Sequence, residues 1–182
     1  MEEYPLISAI VPVYNGVDYI KTVYDNISKQ TYPNIEVIFV DNNSTDGSIN
    51  EIKNLQKNKD HIFLFHEKVQ GAGAARNLGV ENSNGEYIAF FDVDDIYTSD
   101  KVSSLVNVLR NNSNIGMVFG KISVKYQNGR EYNPEYKNIK SGINYPTDLA
   151  IKFLNFGSGA PTQAVMCRKD AFFYINGFEG DM

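Results

Sequence analysis

Ile7-Ser8-Ala9-Ile10-Val11-Pro12-Val13 is the stretch on which the fold turns. Its apolar residues fall at both odd and even positions, so a strand here has no wet face and must be covered from above and below. Pro12 has no N–H for a ladder and marks the approach of the strand's end. The covering helices follow in the sequence. Val17, Ile20, Val23, Tyr24 and Ile27 recur at spacings of three or four, which puts them on one helical face before Tyr32-Pro33 stops it. Ile35 to Val40 is a second strand, Ile49, Ile52 and Leu55 stripe a second helix, and His61 to Phe65 is a third strand. A small-residue helix from Ala72 to Asn82 leads to a fourth strand, Tyr87 to Phe91, and Val102, Leu105, Val106 and Leu109 mark the next helix. Strands separated by helices are joined by crossovers and run parallel. The fold class is therefore α/β, a doubly wound, mostly parallel sheet with helices on both faces.

After Asn114 the rhythm changes. Ile115 to Tyr126 predicts a longer strand and Asn128-Gly129 a hairpin turn before Tyr132, so this part is expected to be antiparallel or mixed. Thr147 or Asp148 can cap a short helix over Leu149, Ala150, Phe153 and Leu154, and Gly157-Ser158-Gly159 reads as a flexible joint. A last strand, Gln163 to Cys167, precedes a short helix ending at Gly177. With no internal repeat or linker, residues 1–182 are expected to form one domain with one core.

The chain has 182 residues, 42% of them hydrophobic, which suits one globular domain of roughly 100–200 residues. A net charge of -5, with Lys and Arg dispersed, argues against general nucleic-acid binding, so an anionic ligand has to be held locally. Cys167 is alone and forms no intramolecular disulfide; a buried structural thiol in a reducing compartment is the expectation. The opening Met1-Glu2-Glu3-Tyr4-Pro5 leads into a strand too short for a signal peptide or membrane span. A cytoplasmic location follows, with peripheral attachment at the inner membrane face as the variant.

In open parallel sheets ligands bind beyond the carboxyl ends of the strands. Here the predicted strands end in Pro12-Val13-Tyr14-Asn15, Asp41-Asn42-Asn43-Ser44 and Asp92-Val93-Asp94-Asp95. Asp92 and Asp94, one residue apart in an extended backbone, can point the same way and suit a hard divalent cation, Mg²⁺ or Mn²⁺, shared with substrate phosphates. The plainer alternative is helix capping, which Asp95, Thr98 or Ser99 could supply. Asp41 through Gly47 carries more hydrogen-bonding groups than one cap requires, although all suit turns. It is not an EF-hand, since Asp46 stands where Gly is needed and Ile52 where Glu is needed. Asp41 is singled out as an acceptor for a base or ribose. Gly71-Ala72-Gly73-Ala74-Ala75-Arg76-Asn77 opens a helix with small residues, permitting close approach to a ligand or a neighbouring element. Its likeness to a dinucleotide fingerprint fails at Arg76 and follows the wrong strand. Arg76 is either a cation for a base or diphosphate or one half of a surface ion pair.

Together these segments resemble the family-2 glycosyltransferases of the GT-A fold over nearly the whole chain. Ser8 to Asn15 resembles the family's first strand, whose end, here Pro12, Val13 and Tyr14, packs on the nucleotide base. Val40-Asp41-Asn42-Asn43-Ser44-Thr45-Asp46-Gly47 resembles its base and ribose loop, with Asp41 at the base-reading position and Asn42 and Asn43 departing from the commonest form. Gly71 to Asn77 resembles the family's Gly-x-x-x-Ala-Arg-Asn helix start, with Val69 where Asn is usual. Phe91 to Asp95 resembles the Asp-x-Asp element, which implies Asp92 toward the ribose and Asp94 toward metal and diphosphate. The implied donor-binding set is thus Pro12, Val13, Tyr14, Asp41, Asn43, Gly71, Arg76 and Asp92, with Asp92 and Asp94 as metal ligands.

Met166 to Lys169 and Asn176 to Glu179 resemble the segment that introduces the acceptor side. In the family an acidic pair just beyond supplies the catalytic base, which is therefore expected past Met182, with Glu179 and Asp181 as weaker candidates. The resemblance implies an inverting, metal-dependent transfer of a sugar from a nucleoside diphosphate sugar, such as a UDP-sugar, to a sugar or lipid-linked acceptor. The alternatives are a module or fragment that binds nucleotide without turnover, and a nucleotidyltransferase. The latter lacks support, because Tyr14-Asn15-Gly16-Val17-Asp18 is neither glycine-rich nor basic.

Overall fold

The computed structural model describes residues 4–126, 128–133, 142 and 161–178. The alternation read from the sequence is present in order: β1 (Ile7–Val13), α1 (Val17–Ser28), β2 (Ile35–Asp41), α2 (Ser48–Gln56), β3 (Ile62–His66), α3 (Ala72–Glu81), β4 (Tyr87–Phe90) and α4 (Lys101–Asn111). β5 (Met117–Phe119), β6 (Val124–Lys125), β7 (Glu131–Tyr132), a 3-10 turn (Thr162–Ala164), β8 (Val165–Arg168) and α5 (Lys169–Tyr174) follow. The main sheet has the order β3-β2-β1-β4-β8-β5. β1, β2, β3 and β4 are parallel, while β8 runs antiparallel to both β4 and β5.

The two-sided apolar pattern of β1 has its predicted consequence. Ile7, Ala9, Val11 and Val13 face one layer, where Ile20, Val23 and Ile27 of α1, Ile52 of α2, and Val102, Leu105 and Leu109 of α4 pack. Ile10, with Ile38, Val40, Ile88 and Phe90, faces the other layer, covered by Ala75 and Val80 of α3 and Phe172 of α5. Phe39, Phe90 and Phe91 are fully buried, each worth about 1.5–3 kcal/mol relative to exposure. The small residues of α3 serve neighbouring strands as well as any ligand: a Cβ on Gly79 would stand 2.6 Å from Ile10 Cγ2, so only glycine lets this helix lie so close to β1.

One expectation changes. Ile115 to Tyr126 is not one strand. Met117–Phe119 pairs with β8, residues 120–123 join no ladder, and Val124–Lys125 pairs only with β7 in a separate exposed ribbon across the Asn128-Gly129 turn. The capped helix over Leu149 to Leu154 and the Gly157-Ser158-Gly159 joint lie outside the described residues.

At the amino edge of the sheet the buried Glu36 is satisfied by protein alone. It accepts from Ser8 Oγ, from the Asn84 N–H (2.6 Å) and from Asn84 Nδ2 (3.1 Å). The carboxyl edge is different. Cys167 is buried as expected, and burial pushes its thiol up to about 12, which keeps it unreactive.

Candidate functional site

The register pairs Val13 with Asp41 and Asp41 with His66, so β1, β2 and β3 end in one row. After β3 the chain crosses to the other side of β1, and the carboxyl ends of β1 and β4 flank the point where the strand order reverses. A cleft of about 310 Å³ opens there, lined by Pro12, Val13, Tyr14, Asn42, Gln70, Ala72, Arg76, Asp92, Val93 and Asp94. Six residues picked out in the sequence, Pro12, Val13, Tyr14, Arg76, Asp92 and Asp94, are thereby brought together. Asp41, Asn43 and Gly71 sit around the cleft and not in its wall.

Asp92 to Asp95 is a turn, closed by the Asp95 N–H on the Asp92 carbonyl at 3.3 Å, and not the extended segment expected. Asp92 and Asp94 reach one cleft through that turn. None of this acidic run caps α4, which begins after Asp100. Arg76 Nη2 donates to Asp92 Oδ1 at 2.7 Å, so the guanidinium projects into the cleft from the first turns of α3 and is not a surface ion pair. Asp94 is exposed and, among the described residues, makes no hydrogen bond or ion pair. Asp95 is half-buried; burial, then the charges of Asp92 and Asp94, hold its carboxyl above the usual range.

Two residues missed in the sequence hold this turn from below. The Tyr97 hydroxyl accepts the Asp92 N–H at 2.6 Å and donates to the Asp92 carbonyl at 3.1 Å. Its ring packs edge-on against Phe91, and burial drives the phenol far above its ordinary value. Lys101 Nζ donates to the Phe90 carbonyl at 2.7 Å and lies 3.6 Å over the Phe91 ring. Burial pulls its ammonium down to about 7, against the opposing pull of Asp92 and Asp95. A Lys seven residues after an Asp-x-Asp element has no local signature.

The loop after β2 is mostly spent on the protein itself. Asn42 is buried; its Nδ2 donates to the carbonyls of Glu67 (3.0 Å) and Val69 (2.7 Å), and its Oδ1 accepts the Gly71 N–H (2.8 Å). Asn43, at φ +65°, donates to Lys68 O and Gln70 Oε1. Ser44 Oγ, Ser48 Oγ and Asp46 Oδ2 accept the N–H groups of Asn15, Gly16 and Val17, lacing this loop to the one after β1. Asp41 is buried, accepts the Ser44 N–H at 3.3 Å, and lies 3.5 Å from Nδ1 of the half-exposed His66. Glu179 and Asp181 lie outside the described residues.

Asp92 and Asp94 offer hard oxygen donors on one wall, which fits Mg²⁺ or Mn²⁺ only if other ligands complete the shell, since no cluster of three metal-binding side chains occurs among the described residues. A larger hollow of about 500 Å³ at the opposite end of β4, by Asn84, Arg168 and Lys169, is a poorer candidate. There Arg168 donates to the carbonyls of Ile115 and Leu109, and Lys169 to that of Ser83. Among the described residues no helix is long and apolar enough to cross a membrane.

Comparison with known proteins now has a geometry to meet. The chain is 36% identical over 149 residues to the putative teichuronic acid biosynthesis glycosyltransferase TuaG of Bacillus subtilis, covering 81% of this chain and 58% of TuaG. It is 39% identical over 129 residues to an uncharacterized glycosyltransferase of Rickettsia bellii, covering 70% of this chain but 18% of the relative. The mannosyltransferase PcManGT of Pyrobaculum calidifontis, solved with GDP-Man and Mn²⁺, superposes with a TM-score of 0.71 at 22% identity over 99% of this chain and 49% of its own. S. aureus TarS residues 1–349 with UDP-GlcNAc gives 0.72 at 23% identity, over 96% and 48%. The chain thus spans from 18% to 58% of these proteins, and the last two share the GT-A fold with it. The sequence model of glycosyl transferase family 2 matches residues 8–172, and the chain belongs to that family.

Proposed function

We propose that this chain binds a nucleoside diphosphate sugar, a UDP-sugar first among them, and belongs to an enzyme that transfers the sugar to a sugar or lipid-linked sugar acceptor. The observation that carries the reading is one cleft at the β1/β4 edge where apolar Val13 and the exposed Tyr14 ring adjoin an Arg76–Asp92 pair and an Asp94 that has no partner among the described residues. In this reading a base and ribose lie along Pro12 to Tyr14 and toward Asp41, with Asn43 and Gly71 shaping the rim, and the diphosphate lies toward Arg76 and Asp94. Neighbours bearing UDP-GlcNAc or GDP-Man with Mn²⁺ support a nucleotide-sugar donor. TuaG's name supports an acceptor in polysaccharide assembly.

The cleft wall carries two carboxylates against one guanidinium, so a diphosphate entering alone meets net negative charge. Asp94 and Asp92 would hold a divalent cation there, which would offset that repulsion and supply the positive charge that stabilises a departing diphosphate. Transfer proceeds by direct displacement: the acceptor oxygen bonds to the anomeric carbon from the face opposite the diphosphate, whose C–O bond breaks with inversion. A carboxylate takes the acceptor proton; Glu179 and Asp181 are the candidates within this sequence.

Thermal shift with UDP, GDP, ADP, CDP and their sugars, with Mn²⁺ or Mg²⁺, tests the donor claim. At a hundredfold excess over Kd, native-state binding adds about 2.7 kcal/mol, or roughly 5–10 °C for a chain of this size. No shift with any of them removes it.

A further inference from the structure

Phe178 lies beyond the residues matched by the family and is tied firmly to α3. The Asn77 side-chain amide makes two bonds to its backbone: Nδ2 donates to the Phe178 carbonyl at 2.8 Å, and Oδ1 accepts the Phe178 N–H at 2.9 Å. Both partners of one amide spent on one distant residue fix its position and orientation together. Gly177 makes the approach possible. It sits at φ +70°, and a Cβ there would stand 2.6 Å from Asn77 Oδ1, so any other residue would be strained and would push the amide away.

The joint sets where the Phe178 ring lies. The ring packs against Phe90 at 5.4 Å and Phe172 at 5.7 Å between centroids, and the Arg76 guanidinium carbon lies 5.6 Å from its centroid. The same guanidinium reaches Asp92 through Nη2, while its Nε is buried with no hydrogen-bond partner among the described residues. A part-exposed ion pair by itself restrains a long side chain weakly. An aromatic face held on the other side removes much of the remaining freedom and leaves N–H donors unspent.

We propose that Asn77, Gly177 and Phe178 form a joint that positions the Arg76 guanidinium for the diphosphate of the donor. Phe178 is then a positioning residue that acts through Arg76, and Asn77 acts through Phe178. The inference rests on the donor-binding reading above. It predicts an effect on the diphosphate part of binding that is not shared by the nucleoside part.

The test uses the 182-residue chain in two measurements. In the free protein, the NMR signal of the Arg76 Nε–H is expected to be shifted by the adjacent ring and slow to exchange, to persist in Phe178→Tyr, and to lose both properties in Phe178→Leu. Leu keeps apolar bulk against Phe90 and Phe172, so folding is retained. In calorimetry with Mn²⁺, Phe178→Leu and Asn77→Ala are expected to weaken UDP, or GDP if that is the nucleotide bound, about five- to tenfold, as loss of one cation–ring contact would. Uridine or guanosine affinity should be unchanged, and Phe178→Tyr should behave as wild type. An unaltered Arg76 signal in Phe178→Leu overturns the joint. So does unchanged diphosphate affinity in that variant while Arg76→Ala weakens it, or an equal loss for nucleoside and diphosphate. If the wild type binds none of UDP, GDP, ADP, CDP or their sugars, the donor reading fails and takes the assigned role of the joint with it, whatever the NMR shows.

Discussion

Two polar loops leave the same edge of the sheet and use their side chains in opposite ways. Between Asp41 and Ser48, Asn42 bonds three backbone groups, and Ser44, Asp46 and Ser48 take up the N–H groups that open the β1–α1 connection. Between Asp92 and Asp95, three carboxylates share one turn, one of them meets Arg76, and Asp94 meets nothing among the described residues. Polarity is equal in the two loops; satisfaction is not. Side chains already committed to the backbone are scaffold, and those left open at a concave edge are where a ligand gains most.

The largest expected effect breaks the scaffold loop. Asn42→Ala removes three hydrogen bonds and leaves the Gly71 N–H and two carbonyls short of partners near a buried position. The cost is about 2–4 kcal/mol, a fall in Tm of roughly 5–15 °C, in protein without ligand. If Tm holds and UDP affinity is lost, this loop belongs to the site and the contrast is wrong. The next effect comes from the open loop. Asp94→Ala should leave stability within about 0.5 kcal/mol of wild type and reduce Mn²⁺-dependent UDP affinity about tenfold. Asp41→Ala, by contrast, should weaken uridine measured without metal. Identical losses for both variants with and without Mn²⁺ would show that the two roles are misassigned.

How much of this was readable follows the same division. β1 to α4 was legible because burial on both faces imposes local patterns: the strand runs and the Ile20–Ile27 and Val102–Leu109 stripes are short-range signals. In the C-terminal part the last strand, the short helix and the antiparallel character were legible too, but the break within Ile115–Tyr126 and the choice of strand partners were not, because β8 pairs with β4 and β5 across 45 residues or more of sequence, and nothing local tells Met117–Phe119 to choose Val165–Cys167 as partner. Within the site, strand-end position exposed Tyr14, Asp92 and Asp94, and the small-residue opening of α3 exposed Arg76. The supporting contacts of Tyr97, Lys101 and Phe178 stayed hidden, since each depends on a side chain meeting a backbone or ring that only the fold brings near.

The smallest effect tests the lacing of the scaffold loop through pH. Asp46 accepts the Val17 N–H at 3.1 Å and the Ser48 N–H at 2.9 Å, and the Ser48 hydroxyl donates to it as well. Chiefly through that hydroxyl, its carboxyl titrates below the ordinary 3.8. With the folded value depressed, the unfolded chain takes up the proton first as pH falls, so Asp46 stabilises the fold above 3.8 and loses that contribution as pH drops through the depressed value. Asp100 is also held low, by Thr98, and adds its own acid limb, so only a difference measurement isolates Asp46. Wild type should melt slightly above Asp46→Asn at pH 7, by a constant margin down to about pH 5, with the gap closing below 3.8. The exposed position keeps the margin small and lets salt reduce it. UDP affinity at pH 7 should be the same in both proteins. A gap that widens on acidification, or a loss of UDP binding in Asp46→Asn, would mean that Asp46 faces the ligand and that this loop, too, is left open.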